Sequence, residues 1–264
     1  VSDLIAITRE VSPAIGRCEL THLARQPIDL ERARAQHLKY EECLAGLGCT
    51  LVRLPAEPRL PDSVFVEDTA VVLDEVALIA RPGARSRRAE TKPVADVLAS
   101  YRRVFHVHAP CTLDGGDVLV VGRRVFVGLS RRTNEAGLKE VRSLLTPFGY
   151  RVNGVPVHGA LHLKSAVTRV AERTLVVNHN WTDTSVFAGV EDALELIDIA
   201  PEEPLGANAL LIRETVVYPE AYPLTRRRLE DRGIRVVGVD VSELAKAEGG
   251  VTCSSLVFST HNSS

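Results

Sequence analysis

The sequence predicts an α/β protein in which about five strand–turn–strand–helix–strand units stand in a ring around one axis. Three observations predict it. Short apolar runs of β-rich composition come in pairs joined by tight polar turns. Helical patterns with steps of three and four separate the pairs. The pairs also recur at a steady interval. Each is headed by a polar residue, and the heads Asp68, Asp114, His162, Asn208 and Cys253 are spaced by 46, 48, 46 and 45 residues. A unit of that size cannot bury its apolar faces alone, and stacking around an axis solves this. In such a ring two carboxylates, an imidazole, an amide and a thiol converge on one point.

The elements follow in chain order. Residues 6–9 (AITR) form a short strand, and 17–26 have no period and form a surface loop. Asp29 caps a helix whose apolar face carries Leu30, Ala33, His37, Tyr40, Leu44 and Leu47, and Gly48 ends it. A strand over 50–54 and a proline-rich loop through Pro61 come next. The first hairpin runs over 64–73, turns at Asp74-Glu75 and returns over 76–81. In the second, LDGGDVLVVG (113–122), Asp114 and Asp117 flank a Gly-Gly pair and the chain returns through Val125-Phe126-Val127. Glycine pairs permit backbone approaches that a side chain forbids. The third hairpin spans 162–170 and 174–177, the fourth 208–212 and 215–218, and the last strand is 253–258. Helices are expected over 133–145, with Leu138, Val141 and Leu145 on one face, and over 224–232, closed by Gly233.

Bulk properties narrow the function. The chain has 264 residues, 45 % hydrophobic and 25 % charged, with a formal charge of -2. That fits one globular domain over 1–264. The basic runs at 85–88 and 226–228 are short and have acids nearby, so no nucleic-acid or membrane surface is expected. No apolar run approaches the ~20 residues that span a bilayer, and the first residues lack a signal-peptide pattern. The cysteines, at 18, 43, 49, 111 and 253, are odd in number and lack CxxC spacing. This implies free thiols and a cytoplasmic setting.

The converging heads suggest chemistry. Cys253 follows Gly249-Gly250 and shares its place in the repeat with His162. A thiol with an imidazole makes a nucleophile and its acid/base partner. Asp68 and Asp114, with Glu67, would repel one another in a buried pocket unless a cation came between them. A guanidinium satisfies two carboxylates at once, and its carbon is an electrophile for a thiolate. Near neutral pH an unperturbed imidazole is mostly uncharged, so His162 is expected to be neutral at rest.

Six stretches then resemble one family: LPDSVFVED (60–68), RPGARSRR (81–88), LDGGDV (113–118), FVGLSRRTN (126–134), HLKS (162–165) and VTCS (251–254). They closely resemble dimethylarginine dimethylaminohydrolase, of the guanidino-group modifying superfamily, in family order and from about Arg9 to Phe258. The resemblance implies a five-bladed α/β propeller of ββαβ repeats with pseudo-five-fold symmetry. It implies hydrolysis of Nω-methylated arginine to citrulline and a methylamine, without a metal or organic cofactor. It makes Cys253 the nucleophile, His162 the acid/base and Asp114 the third member. Glu67 and Asp68 would hold the guanidinium, Asp62 the α-amino group, and Arg87 and Arg132 the carboxylate. Leu20 falls at a lid leucine, and the backbone of Ala247 at a contact to the α-amino group. Cys253 and His162 could also bind an inhibitory Zn²⁺. The partner implied is a small molecule, and the state a monomer or homodimer. Residues 178–205, with Trp181, match the family poorly and receive no role. The alternative is an arginine deiminase on the same fold, but the chain lacks room for the helical insertion those enzymes carry.

Overall fold

A computed structural model describes residues 3–187 and 194–260. Its strands form five separate three-stranded sheets. β1 (Leu4–Arg9) and β2 (Cys49–Leu54) belong to one; β3 (Ala70–Val72), β4 (Val76–Ile79) and β5 (Arg103–His106) form the next. β6 (Val118–Val121), β7 (Arg124–Leu129) and β8 (Arg151–Pro156) follow, then β9 (Val167–Ala171), β10 (Thr174–Val177) and β11 (Glu195–Asp198). The fifth in order is β12 (Leu210–Ile212), β13 (Thr215–Pro219) and β14 (Arg235–Val239). The final strand β15 (Leu256–Ser259) returns to pair antiparallel with β1, from Leu4↔Ser259 to Ile7↔Leu256. Every sheet therefore has one antiparallel and one parallel pairing, the signature of ββαβ. The last unit anticipated from the repeat, headed by Cys253, is completed by β1 and β2, so one blade is shared between the two ends of the chain.

The middle strand of each blade is buried on both faces, and its residues alternate between two neighbours. Val76 and Leu78 of β4 pack with β6 and β7, while Ala77 and Ile79 pack with β1 and β15. On β7, Val125 and Val127 face one way and Phe126 the other. On β10, Leu175 and Val177 face β6 and β7, and Val176 faces β13. Ile5 and Ile7 of β1 join one cluster and Ala6 the next. Period-two side chains thus feed two cores from one strand. This is why the strands read as unbroken apolar runs rather than alternating ones. Five clusters each join adjacent blades and close the ring. Each fully buried Val, Leu or Ile in these clusters contributes about 1.5–3 kcal/mol.

Helices cover the blades from outside. α1 (Leu30–Gly46) starts where expected: Asp29 accepts from Arg32 N, and Ala33, His37, Tyr40 and Leu44 are buried. Gly48, at φ 88°, takes the left-handed turn that ends it. α2 (Thr91–Leu98), α3 (Glu135–Leu145), the short α4 (Leu163–Ala166), α5 (Pro223–Glu230) and α6 (Ser242–Ala245) complete the set. Asn134 caps α3 through Gly137 N.

Two strand expectations need correction. Residues 66–69 form a 3-10 turn, not a strand, and β3 begins only at Ala70. The residues after His162 form α4 before β9 begins. Gly115–Asp117 is likewise a 3-10 turn. The physical reason is shared. A polar head on a straight strand would point sideways into an inter-blade core, and the turn swings it to the axis. Of the stretch without a role, residues 188–193 lie outside the described ones.

Candidate active site

Four of the five heads meet, and the fifth, Asn208, lies beside them on Thr252. His162 Nε2 lies 3.0 Å from Asp114 Oδ2, and Nδ1 lies 3.6 Å from Asp68 Oδ1. Asn208 Nδ2 donates to Thr252 Oγ1 at 3.0 Å and to Lys164 O at 2.9 Å. Glu67 N donates to Cys253 O at 3.1 Å. Asp114 is oriented by Gly83 N, 2.9 Å from its other oxygen. Gly116 explains the glycine pair: its N–H donates to Asp68 Oδ1 at 3.0 Å, and a Cβ there would stand 2.7 Å from His162 Nδ1. No side chain fits between the acid and the imidazole.

Asp117 was not among the expected site residues. It is buried and accepts from Ser130 Oγ at 2.6 Å, Thr133 Oγ1 at 2.7 Å and Leu163 N at 2.9 Å. It fixes the turn that carries His162. Lys164, also unassigned, sits 2.6 Å from Glu67 Oε1, while Thr252 Oγ1 donates to Glu67 Oε2 at 2.7 Å. Both residues lie inside stretches already singled out, LDGGDV and HLKS. Their roles depend on partners far along the chain, so spacing alone could not reveal them.

Charge sets the protonation states. Burial pushes the Cys253 thiol up, Glu67 and Asp68 push it further, and it reaches about 12. Burial opposes a charge on His162, but Asp68, Asp114 and Asp117 outweigh it and raise its pKa to about 9. His162 is therefore an imidazolium near neutral pH, which corrects the expectation of a neutral ring. The expectation considered the ordinary value; three buried acids around one ring decide otherwise. Burial also raises Glu67, and it raises Asp117 to about 6 against the pull of His162. Asp68 is pushed up by burial, yet His162 and Arg87 hold it below the usual carboxylate range.

The rim completes the pocket, which Asp62, Phe65, Asp68, Arg87, Arg132, Leu161, His162, Ala247, Glu248 and Cys253 line. Asp62 is buried and accepts from Glu19 N at 3.1 Å. Arg132 donates through Nη2 to Thr21 Oγ1 at 3.2 Å, and its Nη1 is buried with no partner among the described residues. Arg87 is different. It donates to Asp68 Oδ2 at 2.5 Å, to Glu90 through Nε and Nη2, and to the carbonyls of Asp62 and Phe65. One Nη1 hydrogen remains for a ligand, so the two arginines are not an equal clamp. Leu20 does not line the pocket; it packs beside it, in the apolar cluster of Phe65, Leu244 and Ala247 that Cys253 also touches. For a metal, the three ligand atoms within 4.8 Å of one another belong to Asp68, Asp114 and His162. Cys253 is outside that group, so the expected Cys253–His162 zinc pair gains no close third ligand from it.

An acid-floored pocket with a buried thiol, an imidazolium and an unfilled arginine donor suits a cationic amino acid. Known proteins agree. A family model described as "N,N dimethylarginine dimethylhydrolase, eukaryotic" matches residues 21–257. The N(G),N(G)-dimethylarginine dimethylaminohydrolase of Streptomyces coelicolor is 40% identical over 252 residues, 95% of each chain. That of Pseudomonas aeruginosa is 34% identical over 90% of this chain and 92% of its own. The crystal structure of a cysteine-to-serine variant of the Pseudomonas enzyme, complexed with citrulline, superposes with a TM-score of 0.89 at 32% identity. It covers 98% of this chain and 100% of that one. The N-terminal domain of ArgZ, a cyanobacterial arginine dihydrolase, shares the fold alone, at a TM-score of 0.85 and 16% identity over 97% of each chain. The ring of five ββαβ blades, the acid–imidazole–thiol axis and these matches together make the chain a member of the dimethylarginine dimethylaminohydrolase family.

Proposed function

We propose that this chain hydrolyses Nω-methylated arginine to citrulline and methylamine or dimethylamine, with Cys253 as nucleophile. The observation that carries the reading is the arrangement of charge around one pocket. Asp68 lies at its floor beside the His162–Asp114 pair, with Glu67 behind it on Lys164 and Thr252, and Asp62 and the unfilled Arg132 donor lie at its rim.

The substrate guanidinium sits against Asp68, with the Lys164-paired carboxylate of Glu67 behind it in place of the direct contact expected from the sequence, and its carbon lies near Cys253. Cys253 gives up its proton to water as the cation binds, the thiolate forms a C–S bond, and the C=N π electrons move to nitrogen. His162, already protonated and held by Asp114, gives its proton to the departing amine as the C–N bond breaks. The product is an S-alkylthiouronium. The now neutral His162 takes a proton from water, whose oxygen attacks the same carbon. The C–S bond breaks as the C=O forms, the hydroxyl proton passes to the sulfur through water, and citrulline leaves the restored thiol. Asp62 takes the α-ammonium and Arg132 the α-carboxylate. Arg87, bound mostly to protein acids, holds Asp68 in place and lends at most one hydrogen to the carboxylate.

Incubation with asymmetric dimethylarginine and, separately, with arginine tests the activity. Citrulline should form faster from the methylated substrate, with one dimethylamine released per citrulline. Faster turnover of arginine would make the chain a deiminase instead.

A second test concerns the rim. Arg132→Lys should raise KM for methylarginine by about 10- to 100-fold, the loss of a charged hydrogen-bond pair worth roughly 1.5–3 kcal/mol. For a methylguanidine without a carboxylate the change should nearly vanish. An equal loss for both substrates would make Arg132 structural.

A further inference from the structure

Glu248 follows Ala247 and precedes the Gly249-Gly250 pair. Its φ is 60°, in the left-handed region that a residue with a Cβ rarely enters. Such a conformation persists only where surrounding contacts hold it. The Glu248 carboxylate accepts from Thr21 N at 3.0 Å, His22 N at 2.5 Å and Leu23 N at 2.7 Å. Three successive backbone amides converge on one carboxylate, as anions are held by a backbone nest.

The loop so gripped also touches the rim. Glu19 N sits on Asp62, and Thr21 Oγ1 accepts from Arg132. These two ties use groups that the substrate's ammonium and carboxylate need. They must be released or shared when substrate enters. The Glu248 tie uses only loop backbone and a carboxylate that the reaction does not employ. It alone of the three holds the loop both with and without substrate.

We propose that Glu248 is a positioning residue that latches the loop of residues 18–28 against the rim of the pocket and sets Asp62 and Arg132 for the amino-acid end of the substrate. This rests on the methylarginine reading above. Because its donors are backbone N–H groups, the latch does not depend on the side chains at 21–23. It requires the length and charge of a glutamate at 248.

Glu248→Asn tests it. Asparagine accepts left-handed backbone more readily than glutamate, so the variant adds no strain. Its side chain is one methylene shorter and uncharged. Arg25 lies exposed in the loop and offers a trypsin site. Cleavage after Arg25 in the substrate-free protein should quicken by about tenfold or more as local opening becomes easier. KM for asymmetric dimethylarginine should rise by about tenfold with kcat within about threefold, the pattern of lost binding rather than lost chemistry. Alkylation of Cys253 by 2-chloroacetamidine, a small amidine without an amino-acid end, should be as fast as in the parent or faster.

Unchanged cleavage would overturn the latch. Faster cleavage with an unchanged KM would overturn the positioning role. A fall in kcat together with slower alkylation would mean that Glu248 supports the Cys253 turn instead. Glu248→Gln, which keeps the shape, should give intermediate cleavage and stands in if the asparagine variant does not fold. Cleavage and alkylation need no turnover, so they judge the latch even if the parent forms no citrulline; that failure would count against the substrate reading alone.

Discussion

Cys253→Ser should yield a folded protein that binds Nω-methylated arginine and does not turn it over. The Cys253 side chain touches little that the fold needs: Gly250 N donates to its sulfur at 3.2 Å, and Thr252 Oγ1 stands 4.0 Å away. A hydroxyl can occupy that place. It cannot do the chemistry, because a serine hydroxyl among Glu67, Asp68 and Asp114 has no base to ionise it, His162 being already protonated. Loss of a nucleophile costs about 10⁴-fold or more in kcat. Cys18, Cys43, Cys49 and Cys111 are the controls. Their thiols are also pushed up by burial, yet each sits in an apolar cluster away from the imidazole. Their replacement by alanine or serine should retain activity. Acid quenching during turnover, followed by peptide mass analysis, should find the thiouronium on the peptide that contains Cys253. An adduct on any other cysteine would remove Cys253 from the mechanism.

The ring was legible because β-rich runs return every 45 to 48 residues, each headed by a reactive side chain. That regularity reflects a physical need: a blade with two apolar faces must have a neighbour on each side. The closure by β15 and β1 was not legible, since no local pattern says that strands some 250 residues apart will pair. The turns at 66–69 and 163–166 were hidden by their composition, VEDT and LKSA, which continues the neighbouring strands in sequence but bends toward the axis in space. Asp68, Asp114, His162 and Cys253, which carry family motifs, are brought to one place by the fold. The arginines look alike in sequence. RPGARSRR and FVGLSRRTN each present several forks, and only the structure separates Arg87, consumed by Glu90 and Asp68, from Arg132, with its free Nη1. Glu248 carries no motif. Its role depends on a backbone conformation and on three amides more than 220 residues away.

The Cys253 thiol should be neutral in the free enzyme and ionise when a guanidinium or amidinium binds. At rest burial and the carboxylates of Glu67 and Asp68 hold its pKa near 12. The imidazolium of His162, at about 9, does not overcome them. The substrate carries its own positive charge into this acid cluster. At an effective dielectric of about 20, a unit charge ~4 Å from the sulfur is worth roughly 4 kcal/mol, or about three pKa units, before desolvation takes its share. The same charge acts on His162 in the same direction. By neutralising Asp68 it lowers the imidazolium's pKa and makes it a better acid for the leaving amine. One cation thus sharpens both the nucleophile and the acid. Thiolate absorbance in the ultraviolet, titrated against pH with and without a non-reactive amidinium, reads the first effect. The thiol pKa should fall by well over one unit on binding, and coincident curves would defeat substrate-assisted ionisation. The pH profile reads the second. His162 must be protonated to act as the acid, so kcat/KM should fall as pH rises through about 9. In kcat the falling limb should move to lower pH, because there the cation is bound. Asp68→Asn separates this account from a resting thiolate–imidazolium pair. It removes an anion from beside both groups, so the free thiol and the imidazolium should each titrate at lower pH than in the parent. Affinity for the cationic substrate should nonetheless weaken, because half of its counter-charge is gone. In a resting ion pair the thiolate already stands in the free enzyme, so an amidinium would leave its absorbance near neutral pH unchanged in parent and variant alike.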